Sequence, residues 1–66
     1  MYEKYWNEMN VCEKKNLASM VNSTVGYLRL VMSGHKKPSA SLAKRLDEQT
    51  NGVVKKTRLR PDIFEQ

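Results

Sequence analysis

Residues 17–34 read LASMVNSTVGYLRLVMSG, two short helix-forming segments on either side of Asn22. In the first, Leu17, Met20 and Val21 recur at helical spacing and form the inward side, while Lys14 and Lys15 just upstream face out. Ala18 is small enough to let a second helix approach closely. Asn22 tolerates the left-handed conformation that a tight turn needs, and Ser23 or Thr24 supplies the hydroxyl that caps the next helix. That helix, VGYLRLVMS, turns Leu28 and Val31 or Met32 inward, and Gly34 stands where a left-handed C-terminal cap belongs. Two short helices on a tight turn are the helix-turn-helix arrangement, in which the second helix enters the major groove of DNA.

Once Leu28 and Val31 point inward, the outward edge of the second helix follows: Thr24, Val25, Gly26, Arg29, Leu30 and Ser33. Arg29 suits a bidentate bond to guanine, or else a phosphate; Val25 and Leu30 suit a thymine methyl. Thr24, Ser33 and the Tyr27 hydroxyl can reach phosphate oxygens, as can Lys36 and Lys37 in the loop that follows. The expected base contacts are therefore Val25, Gly26, Arg29 and Leu30, and the expected backbone contacts Thr24, Tyr27, Ser33, Lys36 and Lys37. Gly26 costs about 1 kcal/mol relative to alanine inside a helix. Either backbone must come close to DNA at the helix N-terminus, or the glycine packs against the preceding helix.

Upstream, Tyr2, Tyr5, Trp6 and Met9 recur at spacings of three and four, one face of a first helix. Their spacing favours core packing over stacking on single-stranded bases. Asn10 and Glu13 have the spacing of a capping box that opens the second helix, where Cys12 is expected as a small buried residue. Downstream, HKKP is a polar loop and Pro38 stops continuation. Ser39 caps a fourth helix with Leu42, Ala43 and Leu46 on one side and Lys44 and Arg45 on the polar face, and Gly52 ends it. The tail VVKKTRLRPDIF has no clear period. Residues 53–60 read as irregular with one helical turn, or as a short strand through Val53 and Val54; Pro61 opens a final turn that folds Ile63 and Phe64 back over the core. The expected fold is all-α, a compact bundle of four to five helices forming one domain over residues 1–66.

Sixty-six residues bury only about 60% of the surface an unfolded chain exposes, which leaves no room for a cleft between layers or domains. The net charge is +5, and its placement is more telling than its size. Residues 1–22 balance three lysines against three glutamates. Residues 23–60 carry Arg29, Lys36, Lys37, Lys44, Arg45, Lys55, Lys56, Arg58 and Arg60 against Asp47 and Glu48 alone. A polyanion rewards such clustering by releasing condensed counterions.

No apolar run is long enough to span a bilayer and the N-terminus lacks a signal-peptide pattern, so a cytoplasmic location is expected. Cys12 is the only cysteine and His35 the only histidine. No disulfide, metal site, cofactor or small-molecule substrate is expected, and no catalytic constellation is present.

Residues 17–39, LASMVNSTVGYLRLVMSGHKKPS, resemble the Cro/CI-type helix-turn-helix of phage and prophage repressors. The continuation is similar to the YdaS-like branch, whose C-terminal pattern is carried here by Gly52, Val54, Leu59, Arg60, Pro61, Asp62, Ile63 and Phe64. The resemblance covers about residues 10–64 and implies a lambda-repressor-like fold. It also implies a sequence-specific repressor on double-stranded operator DNA, often a dimer on two half-sites. Some members of that branch are antitoxin-like, so the alternative is a protein-interaction module for a toxin or polymerase subunit. Asn22 and Ser23 depart from the family's turn glycine and following apolar residue. Lys55 and Arg58 stand where the family more often has a threonine and an acid, which removes an N-cap and adds positive charge.

Overall fold

Side-chain caps fix three helix starts in the computed structural model, which describes residues 2–64. Asn10 Oδ1 accepts from the Glu13 amide at 2.8 Å while Glu13 Oε1 accepts from the Asn10 amide at 3.0 Å, the reciprocal capping box. Thr24 accepts from Tyr27 N at 3.1 Å and Ser39 from Leu42 N at 3.2 Å. Each such cap contributes about 1 kcal/mol by satisfying an amide that a helix start leaves bare. The helices are α1 (Glu3–Asn7), α2 (Val11–Met20), α3 (Val25–Met32), α4 (Ala40–Gln49) and α5 (Lys56–Leu59). No strand occurs among the described residues, so the fold class is all-α.

Helices α2, α3 and α4 end in one way. Asn22, Gly34 and Asn51 each sit at positive φ (57°, 85° and 54°), and the next amide reaches back five residues, Ser23 to Ala18, His35 to Leu30 and Gly52 to Asp47. These are Schellman caps. The turn expected at Asn22 is present. The sequence pattern ends α4 at Gly52, but Asn51 is the first left-handed residue after the helix, and Gly52 continues the turn at φ 82°.

The chain groups into two compact units, residues 1–36 and 37–66. In the first, α3 packs against both α1 and α2 over a core of Trp6, Leu17, Ala18, Val21, Leu28, Val31 and Met32. The Tyr2 amide donates to Met32 O at 2.7 Å, tying the start of the chain to the end of α3. Lys14 Nζ lies 5.2 Å from the Trp6 ring centroid, where a cation meets the negative ring face. Two expectations fail here. Met20 is 54% exposed, because Leu17, Val21 and Ala18 form the buried arc and Met20 lies on the other side of Leu17 from Ala18. Cys12 is exposed, five residues before Leu17 and so on the opposite face of α2.

In the second unit α4 packs against α5 around Ala43, Leu46, Val54 and Leu59, with Pro38 also fully buried. Buried Thr50 joins the elements: its hydroxyl donates to Leu46 O at 2.6 Å and accepts from Val54 N at 3.0 Å. The strand reading of Val53 and Val54 is overturned, because Val54 is spent on this turn and one helical turn, α5, follows. The N-cap Lys55 makes no side-chain cap bond, consistent with its lack of a hydroxyl. Asp47 of α4 substitutes from a distance, its Oδ2 accepting from Lys56 N at 3.0 Å.

The tail is held by Arg60. Its guanidinium donates to both carboxylate oxygens of Asp62, at 3.1 and 2.8 Å, and to Pro38 O at 2.9 Å. Of the two apolar residues expected to fold back, Phe64 is half-buried, with Lys56 Nζ 5.2 Å from its ring centroid. Ile63 is 47% exposed and covers nothing.

The fork also sets a pH response. Hydrogen bonding from Arg60, helped by the charges of Arg60 and Lys37, holds the Asp62 carboxyl down at about 2. A carboxyl whose folded pKa lies below its unfolded value, about 3.9, favours folding above that value and loses the contribution as pH falls through the folded pKa. The tail fork should therefore be intact above about pH 4 and released between about pH 4 and 2. Carboxyl carbon NMR should follow Asp62 through this window, and Arg60→Ala should return its midpoint to the ordinary carboxylate range. An unchanged midpoint in Arg60→Ala would remove the fork as the cause.

Candidate functional site

Helix α3 runs eight residues, about 12 Å, with Leu28, Val31 and Met32 buried to 1% exposure or less. Those three anchors fix which side faces out. Thr24, Gly26 and Arg29 are exposed, whereas Val25, Tyr27, Leu30 and Ser33 are half-buried. Lys36 and Lys37 are both exposed; Lys36 closes the first unit, and Lys37 opens the second, where its charge helps to lower Asp62.

At the N-terminal end, the Tyr27 amide goes to the Thr24 hydroxyl and the Leu28 amide to Thr24 O. Among the described residues nothing accepts from the amides of Val25 or Gly26. These two N–H groups lie at the positive end of the helix, where an anionic oxygen is stabilised. The Thr24 hydroxyl uses a lone pair in the cap and keeps its proton. No ion pair or ring contact engages the Arg29 guanidinium among the described residues.

Gly26 is decided by space. A Cβ built there meets nothing within 4 Å, so packing against α2 does not require the glycine. The backbone is helical, so nothing conformational requires it either. Gly26→Ala should raise stability by roughly 0.5–1 kcal/mol, the helix-propensity difference. Thermal denaturation checks this. A loss of stability would mean that the glycine is structural after all.

Towards the C-terminal end, Arg29, Leu30 and Ser33 line a shallow groove of about 360 Å³ together with His35. As the lone histidine, His35 has no role in the sequence pattern. What brings it in is the cap at Gly34, which turns the chain back so that His35 N reaches Leu30 O at 2.9 Å and its ring reaches Ser33. The Ser33 hydroxyl, expected to face phosphate, is held internally, donating to Leu30 O at 3.1 Å. Arg60, part of the basic stretch in the charge pattern, is paired with Asp62 of the tail. No cluster of three metal-ligating side chains exists among the described residues, and no helix there is long and apolar enough to cross a membrane.

Among the described residues, then, the chain is a small all-α protein whose helix α3 turns an exposed arginine and an open glycine outward. The chain is 48% identical over 60 residues, 91% of each sequence, to a prophage transcriptional regulatory protein of Escherichia coli strain K12. It belongs to that family of prophage transcriptional regulators. No family model and no solved structure matches it.

Proposed function

We propose that the protein is a Cro-like, YdaS-type repressor that binds operator DNA with α3 in the major groove and blocks transcription. The observation that carries this reading is the outward face of α3: among the described residues Arg29 has no ion-pair or ring partner, nothing accepts from the amides of Val25 and Gly26, and a Cβ at Gly26 would meet nothing within 4 Å. Val25, Gly26, Arg29 and Leu30 meet base edges. Thr24, Tyr27, Ser33, Lys36 and Lys37 meet the phosphate backbone, Ser33 by turning its hydroxyl proton from Leu30 O to a phosphate oxygen. The regulatory role of the Escherichia coli relative supports transcription as the process affected.

In this arrangement the phosphate contacts give affinity without sequence information, and the short base-facing row gives the preference. Repression then needs no chemistry: occupancy of a promoter-overlapping site excludes the polymerase. Two copies on related half-sites would give the operator an inverted repeat.

Selection of bound sequences from random duplex DNA tests the proposal directly, and an enriched motif, arranged as an inverted repeat if the dimer forms, is expected. Affinity for that motif should fall steeply with salt, and Lys36→Ala should weaken all sequences about equally while reducing the log–log salt slope by about 1. No enrichment, or binding insensitive to salt, sinks the repressor reading in favour of the antitoxin-like protein-interaction module.

A further inference from the structure

The hydrogen bonds of the Arg60 guanidinium are of two kinds. Nε and Nη2 hold the two carboxylate oxygens of Asp62 at 3.1 and 2.8 Å, and Nη1 holds Pro38 O at 2.9 Å. The first two form a fork around a pair of anionic oxygens, a geometry that the two non-bridging oxygens of a phosphodiester match equally well. The third fastens the cation to the backbone of a fully buried residue that directly follows Lys37. The guanidinium is thereby kept beside Lys37 independently of the carboxylate.

The carboxylate is the exchangeable member of the fork. The Asp62 side chain is 51% exposed and that of Arg60 21%. An ion pair so open to water contributes little net free energy. The turn that carries Asp62 has its own support, because the amides of Ile63 and Phe64 donate to Arg60 O at 3.1 and 2.9 Å. Asp62 can therefore swing off the guanidinium by side-chain rotation alone. Lys37 lies near enough for its charge to act on the same carboxylate. One acid thus offsets two cations, one of which is a backbone contact in the DNA-binding reading.

We propose that Asp62 is an internal stand-in for a DNA phosphate: on duplex DNA a backbone phosphate takes the fork of Arg60 beside Lys37, and Asp62, by competing for that fork, holds down affinity for any sequence. The inference rests on the DNA-binding reading and adds to it a phosphate site, Arg60 with Lys37, together with the acid that masks it.

The test is a titration of wild type, Asp62→Asn, Asp62→Asn with Arg60→Gln, and Glu8→Gln on the selected duplex and on an unrelated duplex of equal length, over a range of salt. Asp62→Asn should bind both duplexes about two- to fivefold tighter, the range expected from one exposed ion pair. Adding Arg60→Gln should cancel that gain and lower the log–log salt slope by about 1, which a merely structural role for Arg60 would not do. Glu8→Gln makes the same change in net charge at an exposed site after α1 and should tighten binding less, because distant charges are screened. Unchanged or weaker binding by Asp62→Asn overturns the inference and leaves the repressor reading standing. So does a gain confined to one duplex, a gain equalled by Glu8→Gln, or a gain that survives Arg60→Gln with its salt slope intact. If the wild type binds neither duplex, the repressor reading falls and this inference with it.

Discussion

Leu28→Ala should unfold much of the protein at room temperature. Leu28 is fully buried in the middle of α3, the helix that packs against both α1 and α2. Truncating a leucine in such a place removes its burial and leaves a cavity, together about 2–5 kcal/mol. A core in a chain this short supplies only about 3–5 kcal/mol of net stability, so the loss is comparable to the total. The control is Met20→Ala. Met20 is 54% exposed, and its truncation should change stability by no more than about 0.5 kcal/mol. Circular dichroism melts of the two variants should differ by roughly 10 °C or more, given about 4–8 °C per kcal/mol for domains of this size. Equal melts would mean that α2 presents Met20 and not Ala18 to α3.

That pair also marks where the sequence stops being sufficient. Caps and turns are local, so Asn10, Glu13, Thr24, Ser39, Asn22 and Gly34 could be read from neighbours three to five residues away, and each behaves as expected. Helix faces depend on which side the partner takes. In CEKKNLASMV, Leu17 and Val21 leave the stripe free to extend through Ala18 or through Met20, and only packing against α3 selects Ala18. Asp47 as the cap of α5 lies nine residues away, and Arg60 bonding to Pro38 lies 22 away. No periodicity reports contacts of that range. The outward row of α3 was legible for the same reason as the caps, since Leu28 and Val31 sit on the same short helix. His35 was not, because its place in the groove comes from the reversal at Gly34 and from a bond to Ser33 that composition does not reveal.

Arg29→Ala should separate function from stability in the opposite way to Leu28→Ala. The side chain is exposed and without an ion pair among the described residues, and alanine is at least as good a helix former, so the melting temperature should hardly move. Binding should not survive so well. As a guanine reader Arg29 makes two parallel bonds to O6 and N7, a pairing whose loss costs about 1–3 kcal/mol, or roughly 5- to 150-fold in affinity for the selected site. The loss should be confined to sequences with guanine at one position, and the variant's own selected motif should be indifferent there. As a phosphate contact the same side chain would predict something else: equal weakening on all sequences and a salt slope smaller by about 1. Titrating wild type and variant on the selected duplex and on one with that guanine replaced, at two salt concentrations, distinguishes the cases. A base reader gives a double-mutant coupling between residue and base that persists at high salt. An arginine that merely supplies charge gives none, and base reading would then rest on Val25, Gly26 and Leu30, which offer shape and methyl contacts but no side-chain hydrogen bond.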